Sequence, residues 1–142
     1  MSRLFIFWYN FIQLNAWPMQ NYFIEKTSRT PQVMLDAVKG LIDITGPCIV
    51  EDTVSFYEPV LAWVDEYIKS PRDTTINLDL EYFNSSTSRI LMVFFRSLGD
   101  MLQRGGKVQV NWFYAKGDED LKETGKDFSV LSKLTFHLVE KS

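Results

Sequence analysis

One cysteine, Cys48, and one histidine, His137, are all that this chain of 142 residues offers of the two side chains most used for metal binding and nucleophilic chemistry. A lone cysteine closes no internal disulfide, and a chain without a disulfide framework is expected in the reducing cytoplasm. His137 has no Cys or His neighbour at metal-ligand spacing, so no metal site is expected. Nothing in the flanking sequence pairs His137 with Cys48 as base and nucleophile, and Cys48 reads as a small hydrophobe. Basic residues are scattered: 15 Lys and Arg against 18 Asp and Glu give a net charge of −3, and no run of them forms a nucleic-acid footprint. No apolar run reaches the roughly 20 residues of a membrane-spanning helix. The glycine patterns G-x-G-x-x-G, G-x-x-x-x-G-K-[ST] and G-x-S-x-G are missing, so no cofactor is expected and no active site is recognised.

What the chain does have is aromatic residues: eleven Phe, six Tyr and four Trp, with 46% hydrophobic and 23% charged residues. That is the composition of a globular domain with an aromatic core and ring surface to spare for partners. Met1 to Pro18 stands apart as an aromatic-rich stretch whose only charge is Arg3. It lacks the small-x-small cleavage site of a secretory signal and the basic face of an interfacial helix. It reads as a start-site extension, with Met19 as the first residue, or as a disordered, aromatic N-terminal segment. Residues 19–142 are expected to form one domain.

Strand candidates are residues 22–25, 32–36 and 41–45, the last two joined as a hairpin by Ala37-Val38-Lys39-Gly40. Gly46-Pro47 stops the return strand. Asp52 or Thr53 caps a helix running to about residue 70, with Phe56, Val60, Leu61, Val64, Tyr67 and Ile68 as its apolar face. Ile76, Leu78, Leu80 and Tyr82 then alternate with Asn77, Asp79, Glu81 and Phe83, a strand with one buried face. From Ile90 the spacing becomes helical, through Leu91, Phe94, Phe95, Leu98, Met101 and Leu102, until Gly105-Gly106. Residues 107–114 alternate as a further strand. Residues 118–128 read as a helix with acids in its first turn, and Leu134, Phe136 and Leu138 as a last strand.

Alternating strands have one wet face, whereas a sheet covered on both faces reads as nearly continuous apolar runs. The expected fold is therefore a two-layer α/β domain, a mixed sheet with its helices mainly on one face and right-handed crossovers. Asp79 and Glu81, and the acids at 118–120, are the remaining candidates for paired-carboxylate or metal chemistry. They read first as solvated strand residues and as a helix start.

The segment Asn84-Ser85-Ser86-Thr87-Ser88 joins the alternating strand to the long helix. A helix start leaves backbone N–H groups unpaired and exposes the positive end of its dipole. Ser85, Ser86 and Thr87 can be read as plain capping and first-turn residues. Four consecutive hydroxyls exceed what a cap requires, however, and they lie at the carboxyl end of a strand, where α/β folds place ligands. An anion, bound or covalently attached, suits such a place.

The order strand–Asn–Ser–Ser–x–Ser–helix resembles the switch of STAS-type anti-sigma-factor antagonists. The wider pattern is more similar to the SiaC family of bacterial regulatory phosphoproteins. The matching residues are Thr30-Pro31, Phe56-Tyr57-x-Pro59-Val60-Leu61-x-Trp63, Leu78-x-Leu80-x-Tyr82-Phe83-Asn84-Ser85-Ser86-x-Ser88, Gly105-Gly106, Val110-x-Trp112-x-Tyr114 and Asp118-x-Asp120-x-x-Glu123-x-Gly125-x-x-Phe128. The resemblance implies a STAS-like fold without catalytic activity, switched by a serine/threonine protein kinase and a PP2C-type phosphatase. It implies that the unphosphorylated form binds and activates a diguanylate cyclase, placing cyclic-di-GMP and biofilm formation downstream. It assigns the phosphoacceptor to the hydroxyl residue after the Asn, here Ser85, with Ser86 and Thr87 as alternates and Asn84 and Ser88 as supporting residues. Two departures stand out: Val50-Glu51-Asp52 replaces the family's frequent Pro-Glu-Asn, and the acceptor is Ser rather than Thr. The alternative is a STAS-like module that binds a small anion or nucleotide at the same turn without phosphorylation.

Overall fold

Asp36 and Gly40 make the first reversal of the chain. The Asp36 Oδ1 accepts hydrogen bonds from the backbone N–H groups of Val38 and Lys39, both at 3.0 Å. Gly40 adopts a left-handed φ of 63°, and a Cβ there would run into the backbone oxygen of Asp73. The turn joins strands β2 (Gln32–Asp36) and β3 (Leu41–Gly46), and β1 (Tyr22–Ile24) pairs antiparallel with β2. Helices then alternate with strands: α1 (Thr53–Tyr67), β4 (Thr74–Leu80), α2 (Ser85–Gln103), β5 (Val108–Tyr114), α3 (Glu119–Ser132) and β6 (Thr135–Glu140). The structure, a computed structural model, describes residues 19–142, so the reading of residues 1–18 lies outside the described residues.

The six strands form one mixed sheet in sequence order, antiparallel across β1–β2–β3 and parallel from β3 to β6. Each crossover steps the same way along the sheet, so connections of one hand place α1, α2 and α3 on one face. Under the helices lie two rows of side chains, each crossing all six strands. One runs Tyr22, Leu35, Ile42, Ile76, Val110, Phe136 and the other Ile24, Val33, Ile44, Leu78, Trp112, Leu138. Leu91, Phe94, Phe95, Leu98 and Met101 of α2 close over them, each no more than 2% exposed. The opposite face carries Phe23, Met34, Asp43, Asn77, Asn111 and His137 in one row, with Asn111 Nδ2 donating to Asn77 Oδ1 at 2.8 Å. The sheet thus has the single covered face that the alternation implies.

Several boundaries differ from the sequence reading, most by one residue and some by more. Strand β4 ends at Leu80 rather than continuing to Phe83; Tyr82 is 59% exposed and Phe83 turns inward. Helix α1 ends at Tyr67 and is rotated from the expected face. Tyr57 and Trp63 are buried there, because each finds a partner for its polar tip: Cys48 Sγ for the Tyr57 hydroxyl and the Gln20 carbonyl for Trp63 Nε1. Phe56, Leu61 and Ile68 are only partly buried. Helix α3 continues past Phe128 to Ser132, leaving Val130 and Leu131 exposed, and β6 begins at Thr135. The end of α2 follows expectation. Gly105 takes φ 98°, its N–H donates to the Leu102 carbonyl at 3.2 Å, and that of Gly106 donates to Met101 at 3.1 Å, closing the helix with a Schellman motif.

Candidate phosphorylation switch

The chain leaving β4 is tied down on both sides before α2 starts. The Glu81 N–H donates to the Gly46 carbonyl and the Cys48 N–H donates to the Tyr82 carbonyl, both at 3.1 Å. Phe83 then inserts its ring edge-on against Trp112, with centroids 6.0 Å apart. Asn84 is the N-cap: its Oδ1 accepts from the Thr87 N–H at 3.0 Å, and its carbonyl accepts from the Ser88 N–H at 3.0 Å. Ser85 and Ser86 are the first two residues of the helix, and both are exposed.

The three candidate acceptors are not equivalent. Thr87 is fully buried, and its hydroxyl lies 3.6 Å from Cys48 Sγ, which in turn is 3.2 Å from the Tyr57 hydroxyl. Burial, with Cys48 alongside, pushes the Tyr57 hydroxyl pKa well above its ordinary value. This neutral cluster under the first turn holds α2 against α1 and the β3–α1 loop. The Thr87 side chain is thus enclosed in the fold, whereas Ser85 and Ser86 are exposed. Ser88 is half-buried.

Ser85 opens onto a concavity of about 360 Å³ between the starts of α2 and α3, lined also by Glu81, Tyr82, Ser88, Asp118, Asp120 and Thr124. Asp118 caps α3, its Oδ1 accepting from the Leu121 N–H at 3.0 Å, and Trp112 Nε1 donates to the Leu121 carbonyl at 3.0 Å. Of the first backbone N–H groups of α2, those of Ser85 and Ser86 take no part in the Asn84 cap, which engages Thr87 and Ser88. Glu81, Asp118 and Asp120 place carboxylates around the same concavity. The sequence reading did not join the 118–120 acids to Ser85. The signal was present in the β-α-β-α-β order, since β4 and β5 are parallel neighbours and the loops leaving them must open side by side.

The other sequence candidates are dispersed. Asp79 lies on the uncovered sheet face, 2.7 Å from Lys141 Nζ, whereas Glu81 sits beyond the strand end, 3.9 Å from Lys26 Nζ. Cys48 is buried on the helix side and His137 is exposed on the other face of β6, so they form no pair. Among the described residues no group of three or more His, Cys, Asp or Glu gathers to hold a metal, and no helix is long and apolar enough to cross a membrane.

Residues 24–141 match the family model of SiaC family regulatory phosphoproteins. The chain belongs to the SiaC family. An uncharacterized protein of Pseudomonas aeruginosa is 25% identical over 111 residues, covering 78% of this chain and 88% of the relative. SiaC of Pseudomonas aeruginosa superposes with a TM-score of 0.78 at 23% identity, over 87% of this chain and 100% of that one. The Pseudomonas aeruginosa complex of the diguanylate cyclase SiaD with its activator SiaC gives 0.79 at 23% identity, over 84% of this chain and 99% of that one. At these identities the solved structures show that the fold is shared.

Proposed function

We propose that this SiaC-family chain is a non-catalytic, cytoplasmic signalling protein switched by phosphorylation of Ser85, and that its unphosphorylated form binds and regulates a diguanylate cyclase. The observation that carries this reading is the exposure of Ser85 at the first position of α2, directly after its N-cap, with Thr87 locked beneath it. A serine/threonine kinase transfers the γ-phosphoryl group of ATP to Ser85 Oγ; the hydroxyl proton passes to the kinase's base and ADP departs. A PP2C-type phosphatase reverses this by hydrolysis, releasing inorganic phosphate and restoring the hydroxyl.

The phosphoryl group adds about −1.5 to −2 charges and three acceptor oxygens. The helix start absorbs that charge, so the fold persists. A partner docking over the start of α2 meets a hydrated dianion instead of a small hydroxyl, and association fails. The SiaC of Pseudomonas aeruginosa is described as the activator of a diguanylate cyclase, and the shared family supports that partner class here.

The test is titration of the purified full chain against a diguanylate cyclase of its host, reading both binding and cyclic-di-GMP production. The expected result is binding and a changed rate with the unmodified chain, and loss of both after phosphorylation or in Ser85→Asp. Equal binding by the phosphorylated and unmodified forms would overturn the switch.

A further inference from the structure

Strand β6 is the last in the sheet order, so one side of it pairs with β5 and the other with no strand among the described residues. The Lys141 N–H donates to the Tyr114 carbonyl of β5 at 2.8 Å, and strand alternation carries that direction back through Val139 and His137. The N–H and C=O groups of Phe136 and Leu138 therefore point outward from the sheet edge. Free edges of this kind are ordinarily blunted by lysine, proline, a bulge or a covering segment. Thr135-Phe136-His137-Leu138-Val139 holds no lysine, acid or proline, and it runs beside β5 residue for residue, without a bulge. The side chains of Phe136 and Leu138 also line, with Lys126, Ser129 and Val130 of α3, a cleft of about 330 Å³ along that edge. Val130 is 77% exposed there, and Lys126 is already paired with Glu123 at 3.0 Å.

We propose that β6 pairs antiparallel with β6 of a second copy of this chain, about a twofold axis at His137. The register decides the occupant. Residues directly opposite in a twofold antiparallel pair lie on the same face of the sheet. With His137 on the axis, Phe136 of each copy meets Leu138 of the other on the helix face, and Thr135 meets Val139 on the open face. The outward N–H and C=O groups of Phe136 and Leu138 then exchange hydrogen bonds in both directions, while the two His137 residues face each other as a non-hydrogen-bonded pair. Moving the axis to Leu138 would set Phe136 against Glu140, an apolar ring against a carboxylate. A foreign strand would satisfy the backbone equally; the apolar match of Phe136 with Leu138 is what favours the chain's own sequence. The Val130 sides of the two α3 helices flank the seam over those residues. This edge shares no residue with the Ser85 concavity, so the pairing does not depend on the switch.

The test is sedimentation velocity of the full chain across a concentration series, beside variants at the exposed His137. The expected result is a concentration-dependent dimer. His137→Glu and His137→Lys each set like charges on the axis and should weaken it about threefold or more, and mixing the two variants should restore association. His137→Cys treated with a mild oxidant should form a disulfide-linked dimer, because opposed Cα atoms of a non-hydrogen-bonded pair lie about 4.5 Å apart, within disulfide range. Thr135→Cys should not, since this register sets its two copies roughly 14 Å apart along the strands. Cys48 is buried, so the wild-type chain serves as the uncrosslinked control. Far-ultraviolet circular dichroism of each variant should match wild type. A chain monomeric at every concentration, charge variants that associate as wild type does, or equal crosslinking by the two cysteine variants would overturn the pairing.

Discussion

Phe83 and Trp112 meet edge-on, with ring centroids 6.0 Å apart and planes at 88°, and this contact ties the loop bearing the switch to the centre of the sheet. Trp112 in turn packs on Phe128 of α3 at 5.6 Å and holds the Leu121 carbonyl through its indole N–H. Trp112 therefore touches both the loop leading into α2 and the body of α3. Phe83→Ala is expected to cost about 2–3 kcal/mol, less than a fully buried Phe because the ring is only partly covered. Tyr82→Ala, at an exposed ring, should stay within about 0.5 kcal/mol. Urea unfolding of the two variants checks the difference, and nearly equal midpoints would contradict the inward turn of Phe83.

The Asn84 cap separates structural from signalling roles at the same helix start. Asn84→Ala removes the acceptor for the Thr87 N–H and should lower stability by about 1 kcal/mol, whereas Asn84→Asp keeps the cap. Both measurements come from the same urea titrations.

Gly125 is the glycine most constrained by a side chain. A Cβ there would lie 2.5 Å from Trp112 Cδ1. Gly125→Ala should therefore destabilise by about 1–3 kcal/mol through overpacking, even though alanine is the better helix former. Near-ultraviolet circular dichroism should show the indole displaced along with a lowered melting temperature.

Much of this architecture is legible in the sequence because period and punctuation agree. Alternation in the strands gave the single covered face, and Gly40 and Gly105 marked their turns, both with left-handed backbone in the structure. The failures are equally physical. The β4 alternation runs on through Tyr82 and Phe83, but the backbone bends after Leu80, so the buried ring is Phe83 rather than Tyr82. On α1 the polar tips of Tyr57 and Trp63 hide how deeply both are buried, since a hydropathy stripe does not count the hydrogen bonds that Cys48 and Gln20 supply. At the switch, composition could not rank four adjacent hydroxyls. Only the helix phase places Thr87 inward and Ser85 toward α3.

Acid weakens one cap in a defined direction. The Asp52 carboxylate accepts from the Ser55 hydroxyl at 2.8 Å and the Ser55 N–H at 3.1 Å, and these bonds hold its pKa below the ordinary carboxylate value. A depressed folded-state pKa means a contribution fully present above the unfolded pKa and lost as pH falls through the folded one. Wild type should therefore lose its stability advantage over Asp52→Ala on going from neutral pH to the acid side of the carboxylate range. A difference independent of pH in thermal melts would contradict this.

The most direct measurement is intact-mass and phosphopeptide analysis of the protein isolated from its own host, beside a Ser85→Ala version. One added phosphate that maps to Ser85, disappears in the variant and never maps to Thr87 is the expected result. A chain without phosphate under every growth condition, or a phosphate retained in Ser85→Ala, would contradict the switch and return Asn84–Ser88 to a plain helix cap.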